Sequence, residues 1–150
     1  MTHAQHQPLL AGVLSALSND RGSTRLARVG IDVVSISWFA RQLTSQPAGT
    51  NPIELSSFTP AERTYCAGRP ERYAARWAGK EAVAKAIGTG FRRGLRPADI
   101  EIHHHPEGQP IVGAAAGSTW PEAAHRWRWS LSLCHEEDAA IAIAVALLDD

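Results

Sequence analysis

The stretch Arg76-Trp77-Ala78-Gly79-Lys80-Glu81-Ala82-Val83-Ala84-Lys85-Ala86-Ile87-Gly88-Thr89-Gly90 decides how this 150-residue chain reads. It holds the only two lysines, whereas the other thirteen of the fifteen basic side chains are arginine. A lysine is a flexible point charge suited to a phosphate oxygen, and an arginine presents a planar fork. The pattern predicts a helix from about Pro70 to Ile87, ended by Gly88 in the left-handed conformation that glycine favours. At 3.6 residues per turn, Trp77, Glu81, Ala84, Lys85 and Gly88 share one face, flanked by Arg76 and Lys80. Glu81 and Lys85 stand one turn apart, in the order that also supports a helix. The plain alternative is a pair of solvated lysines on a helix surface.

Working outward, Val29 to Val34 reads as a short buried strand with Asp32 inside it. A helix follows, with Ile36, Phe39, Ala40 and Leu43 at helical spacing. Pro47, Gly49 and Pro52 mark a loop. Thr59-Pro60-Ala61-Glu62 is a helix start, in which the threonine caps, proline takes the first turn and glutamate completes a capping box. Beyond the central helix, Ile100 to His105 alternates as a strand, turns at Pro106 to Gln109 and returns through Pro110-Ile111-Val112. Trp127 to Cys134 alternates too, with Trp127, Trp129, Leu131 and Leu133 on one face and Arg128, Ser130, Ser132 and Cys134 on the other. After a turn at His135 to Asp138, a last strand sends Ile141, Ile143, Val145 and Leu147 one way and four alanines the other, where a helix can pack closely. Strands and helices in mixed order predict an α+β domain, a small antiparallel sheet against a long helix. Residues 1–28 read as an extension with a weak amphipathic helix carrying Leu10, Val13, Leu14 and Leu17. Residues 29–150 form the domain.

Composition bounds the function. An apolar fraction of 44% and a charged fraction of 20% belong to a soluble globular chain, and a formal net charge of zero argues against a broad grip on nucleic acid. No apolar run reaches the roughly 20 residues that span a bilayer. The apolar segment at residues 9–14 has no basic residue before it, as a secretory leader would. Cys66 and Cys134 are too few for a disulfide scaffold, so a cytoplasmic setting is expected.

A carboxylate within an apolar strand is costly unless something pairs with it. Asp32 alone is explained equally well by a structural ion pair. Asp32 and Glu81 brought close would repel, and a hard cation relieves that repulsion. Mg²⁺ is commonly held by one or two carboxylates, water and substrate phosphates. Nearby Lys and Arg would bind the rest of a polyanion. Cys134 and His135 point to opposite faces of a strand and make no nucleophile pair. His103, His104 and His105 read as exposed strand residues.

Gly30-Ile31-Asp32-Val33-Val34, Phe58-Thr59-Pro60-Ala61-Glu62, the central stretch 76–90, Asp99-Ile100-Glu101-Ile102, Gly108-Gln109-Pro110 and Ser132-Leu133-Cys134-His135 together resemble the 4′-phosphopantetheinyl transferases, in their short holo-acyl-carrier-protein synthase type. The match runs from about Val29 to the C-terminus. The resemblance implies transfer of 4′-phosphopantetheine from coenzyme A to a serine of an apo acyl carrier protein of fatty-acid or polyketide type, releasing 3′,5′-ADP. It implies Mg²⁺ on Asp32 and Glu81, and Lys85 near the scissile pyrophosphate. It also implies a coenzyme A site lined by Arg76, Lys80, Lys85, Gly88, Pro110 and His135, and a homotrimer with active sites between subunits. The alternative is a coenzyme A or carrier-binding module without catalysis. The chain departs from the pattern at Cys134, which replaces a hydroxyl residue before the histidine. It departs again at Ser35 and Trp38, where an acidic and a basic residue are usual. The basic residue helps grip the carrier, so Trp38 points to a different carrier. The extension is the third departure.

Overall fold

In the computed structural model the described residues are 27–47, 49–118 and 120–148, so the expected extension, up to residue 26, lies outside them. Five strands and five α-helices follow in the order β1 (Ala27–Ser35), α1 (Ile36–Thr44), α2 (Pro52–Ser57), α3 (Pro60–Cys66), α4 (Pro70–Ile87), a 3₁₀ turn (Pro97–Asp99), β2 (Ile100–His104), β3 (Pro110–Ala114), α5 (Glu122–His125), β4 (Trp127–Glu136) and β5 (Ala139–Leu148). The strands make an antiparallel sheet ordered β1-β5-β4 and a separate β2-β3 hairpin. This is the expected α+β arrangement, with α4 at its centre.

The alternation in β5 sets the packing. Ala140, Ala142, Ala144 and Ala146 are fully buried on the side where α4 lies. Gly30 extends this close contact into β1. A Cβ there would collide with the carbonyl oxygen of Ala82 and stand 2.8 Å from the amide nitrogen of Ala86, so strand backbone rests directly on helix backbone. The helix ends as the sequence predicts, at Gly88 with φ 98°. A second core gathers Phe39, Phe58, Cys66 and Tyr73, with Trp77 packed against it.

Three details differ from expectation. The first strand begins at Ala27, two residues early, because Ala27 and Arg28 still pair with Leu147 and Ala146. It is not a buried strand either: Val29, Ile31 and Val33 are 64%, 55% and 60% exposed. Helix α4 covers one face of the sheet, and among the described residues nothing covers the other, where Ile143 and Leu147 are exposed too. Helix α2 stands where a loop was read. Asn51 caps it, taking the amides of Ile53 and Glu54 onto its side-chain oxygen, and Pro52 occupies its first turn. The same signature was recognised at Thr59-Pro60, where both capping-box bonds form. Among the described residues no helix is long and apolar enough to cross a membrane.

Candidate active site

Three of the sequence-predicted residues meet where β1 crosses α4. Asp32 shares the helix-facing side of β1 with Gly30. Its Oδ1 lies 2.7 Å from Lys85 Nζ, which also donates to the carbonyl of Ile31 at 3.1 Å. The Asp32 side chain is mostly enclosed while the Lys85 side chain is 48% exposed, so the ammonium reaches from the rim toward solvent. Glu81, one turn before Lys85, is half-buried. Its carboxyl is held above the usual range by burial first, then by the negative charge of Asp32, against the opposing pull of Lys85. Two carboxylates and one ammonium therefore converge, and one carboxylate resists ionisation because it is partly buried and because the other is near.

No cluster of three or more His, Cys, Asp or Glu side chains stands ready for a metal among the described residues. A pair of carboxylates with an open side is instead the donor set that a hexacoordinate hard cation shares with water and phosphate. The mutual repulsion at Glu81 and Asp32 is what such a cation would relieve, so the residues present fit it.

Arg76 faces away from this place. Nine residues separate it from Lys85, two and a half turns, which puts the two side chains on opposite sides of α4. Its Nη2 lies 2.9 Å from His104 Nδ1 and its guanidinium sits 4.0 Å from the centre of the Tyr65 ring. Arginine can only donate, so Nδ1 is the acceptor and His104 is neutral. Burial, then Arg76 and Arg72, hold the His104 pKa below its ordinary value, which agrees. Arg76 Nε is buried without a hydrogen-bond partner among the described residues. Pro110 stands opposite His104 in the β2-β3 register, so Arg76, His104 and Pro110 form a second grouping.

Lys80 has a different place from the one expected. It is fully buried, and its Nζ donates to Glu62 Oε2 at 2.7 Å and to the carbonyls of Ser57 and Pro97 at 2.7 and 3.0 Å. Its charge is spent inside the core, so it neither lines a coenzyme A site nor stands solvated on the helix surface. Gly88 is exposed at the C-terminus of α4, beside Arg28, which donates to the Ile87 carbonyl. His135 is exposed near the end of β4, opposite Ala140 and on the same face as Leu133. That is the face carrying Asp32, with β5 between the two strands.

Sequence reasoning missed His104, Tyr65 and Arg72. Strand alternation held the signal for the first, because His104 follows the buried Ile100 and Ile102 on one face. His103 on the other face pairs with Glu101 at 3.3 Å. Neither thiol takes part: Cys66 is buried, which pushes its pKa up to about 11, and Cys134 is exposed on the outer face of β4.

A family model described as the 4′-phosphopantetheinyl transferase superfamily matches residues 28–144. The holo-[acyl-carrier-protein] synthase of Desulforudis audaxviator is 44% identical over 124 residues, covering 79% of this chain and 91% of that protein. Among solved structures, the Mycobacterium tuberculosis acyl carrier protein synthase superposes with a TM-score of 0.63 at 36% identity, covering 81% of this chain and 96% of its own. The Helicobacter pylori holo-[acyl-carrier-protein] synthase, solved in complex with coenzyme A, gives a TM-score of 0.66 at 26% identity, covering 79% and 98%. With the model matching most of the chain and relatives of this identity spanning nearly their full length, the chain belongs to the 4′-phosphopantetheinyl transferase superfamily.

Proposed function

We propose that this chain is a holo-[acyl-carrier-protein] synthase, moving 4′-phosphopantetheine from coenzyme A to a serine hydroxyl of an apo acyl carrier protein. The observation that carries this reading is the meeting of Asp32, Glu81 and Lys85 at the β1-α4 crossing. Asp32 and Glu81 would hold Mg²⁺. When bound, the ion supplies positive charge to the pyrophosphate of coenzyme A.

The serine oxygen bonds to the β-phosphorus while the bond to the bridging oxygen breaks, the hydroxyl proton is released to solvent, and negative charge gathers on the departing 3′,5′-ADP. Transfer of this kind asks the protein for placement and fixed charge more than for covalent chemistry. Lys85, anchored by Asp32 and the Ile31 carbonyl, keeps its ammonium at the rim where that charge develops. His135, on the same sheet face, meets the nucleotide phosphates in this reading.

The separation of Arg76 and Pro110 from Lys85 by the width of α4 supports a site shared between subunits. Arg76 and Pro110 of one chain would complete the coenzyme A site begun by Asp32, Glu81, Lys85, Gly88 and His135 of the next. The uncovered face of the sheet, with Val29, Ile31, Val33, Ile143 and Leu147 exposed, favours the same assembly, which we take to be a homotrimer. The free cysteines suit a reducing, cytoplasmic setting.

The test is to incubate the chain with coenzyme A, Mg²⁺ and a panel of apo carrier proteins, and to read a mass gain of about 340 Da on the carrier, the size of the transferred group. Glu81→Gln should abolish transfer and leave the melting temperature of the metal-free protein unharmed. Retained transfer would remove Glu81 from the metal site. Absence of transfer to every carrier while coenzyme A still binds would turn the reading toward a binding module.

A further inference from the structure

The turn between β4 and β5 is bound to the start of α1, at a point no pairing in the sheet reaches. In the strand register Ser35 and Glu136 both face Ala139, on either side of β5. The two outer strands β1 and β4 therefore end level with each other and do not touch through the ladder. Asp138, in the turn, closes that gap. Its Oδ1 accepts the Ser37 amide at 2.6 Å, and its Oδ2 accepts the Ser35 and Ser37 hydroxyls at 2.7 and 3.0 Å. Its own backbone carbonyl accepts the Ile36 amide at 2.8 Å. Ser35 in turn caps α1 by accepting the Trp38 amide.

One residue thus makes four hydrogen bonds to three consecutive residues at the junction of β1 and α1. The turn it fixes is not a relaxed one. Glu137, just before it, has φ 50°, a left-handed conformation that a residue with a side chain rarely adopts. Asp138 lies three residues after His135, and Ser35 lies three residues after Asp32. The strut therefore runs between the end of the strand that carries the metal carboxylate and the end of the strand that carries the phosphate-facing histidine. A helix cap alone needs one side-chain acceptor, and Ser35 already provides it.

We infer that Asp138 is a positioning residue, which fixes the His135 strand end against the Asp32 strand end so that one coenzyme A pyrophosphate meets both. The inference rests on the transferase reading of the site and adds to it a residue that touches neither coenzyme A nor metal. Loss of the strut would let the hairpin tip swing away from β1, weakening the grip on the phosphates while the rest of the fold stands.

The experiment measures coenzyme A binding by calorimetry in the presence of Mg²⁺, alongside melting temperature, for the full chain and three variants. Asp138→Ala should weaken coenzyme A about tenfold, the size of effect usual when a supporting partner of a site is removed. Asp138→Asn keeps an acceptor for the Ser37 amide and should weaken it less, which also covers the case in which the alanine variant does not fold. Asn51→Ala removes a cap that fastens α1 to α2 far from the site, by way of the Gln42 carbonyl and the Ile53 amide. It should lower the melting temperature and leave coenzyme A affinity unchanged. If Asp138→Ala or Asp138→Asn binds coenzyme A as tightly as the wild type or as Asn51→Ala, Asp138 is a cap and nothing more. If the wild type itself does not bind coenzyme A, the transferase reading fails, and the positioning role falls with it.

Discussion

Lys80 Nζ lies 2.7 Å from Glu62 Oε2 in an ion pair whose side chains are 0% and 1% exposed. The pair is fully dressed. Lys80 donates to two further carbonyls, and Glu62 also accepts the amides of Thr59 and Ile102. It binds α3, α4, the end of α2 and β2 into one knot. Burial pulls the Lys80 pKa down and the adjacent Glu62 charge pushes it back up.

Removing one partner leaves the other charge buried and unmatched. Lys80→Met or Glu62→Gln should cost about 3–5 kcal/mol of stability in urea unfolding, whereas replacing both with apolar side chains should recover much of the loss. Coenzyme A affinity per folded molecule should survive. A Lys80→Met protein of undiminished stability that had lost coenzyme A binding would return Lys80 to the site.

Gly30 and Gly79 both sit in tight packing, and they should not respond alike to an added methyl. At Gly30 the obstacles are backbone atoms of Ala82 and Ala86, which cannot turn aside. At Gly79 they are the tips of the Ile102, Leu133 and Leu131 side chains, which can. Gly30→Ala should destabilise by more than Gly79→Ala, beyond the usual 1–3 kcal/mol of overpacking. It should also impair transfer, because β1 must lift from α4 and carry Asp32 away from Lys85. Equal losses at the two glycines, by chemical denaturation, would contradict the close strand-on-helix contact.

The uncovered sheet face makes a prediction about assembly. Ile31 and Ile143 are neighbours in the β1-β5 register, and both are exposed in the single chain. Ile143→Glu should yield a folded monomer in sedimentation velocity, without transfer activity. Arg76→Ala and Lys85→Ala, each inactive alone, should regain activity when unfolded and refolded together, since some mixed sites then hold both intact halves. No recovery on mixing would place a complete site within each subunit.

The sequence made most of this legible wherever a local rule and the packing agreed. The alternation of Ala140 to Ala146 announced the helix-facing side of β5, and Gly88 announced the end of α4. Spacing also set Glu81 and Lys85 on one face. Direction around a fully packed helix was harder to read. Helix α4 is surrounded, so no polar stripe marks an outside, and Lys80 looks from sequence as exposed as Lys85. The partner that explains it, Glu62, was visible only as a capping-box residue, since the same carboxylate oxygen that closes the box also reaches Lys80 across 18 positions of chain. Apolar alternation in β1 equally could not tell a buried face from the exposed one that carries Val29, Ile31 and Val33.

Asp138 supplies a prediction in pH. The Ser35 hydroxyl, then the Ser37 amide and hydroxyl, donate to its carboxylate and hold the pKa below the ordinary value of 3.8. A group whose pKa is lower in the folded state binds its proton more readily when unfolded. Its stabilising effect is therefore complete above the unfolded value and disappears as pH falls through the folded one. Wild type should melt above Asp138→Asn by a constant margin between about pH 7 and pH 5, where the carboxylate is ionised in both states. Below the ordinary aspartate value the margin should close, because the wild-type residue becomes a neutral acid. Calorimetric melting of both proteins across that range checks it. A margin that persisted to the lowest pH at which the chain still folds would mean that the hydrogen bonds at Ser35 and Ser37 do not depend on the charge of Asp138.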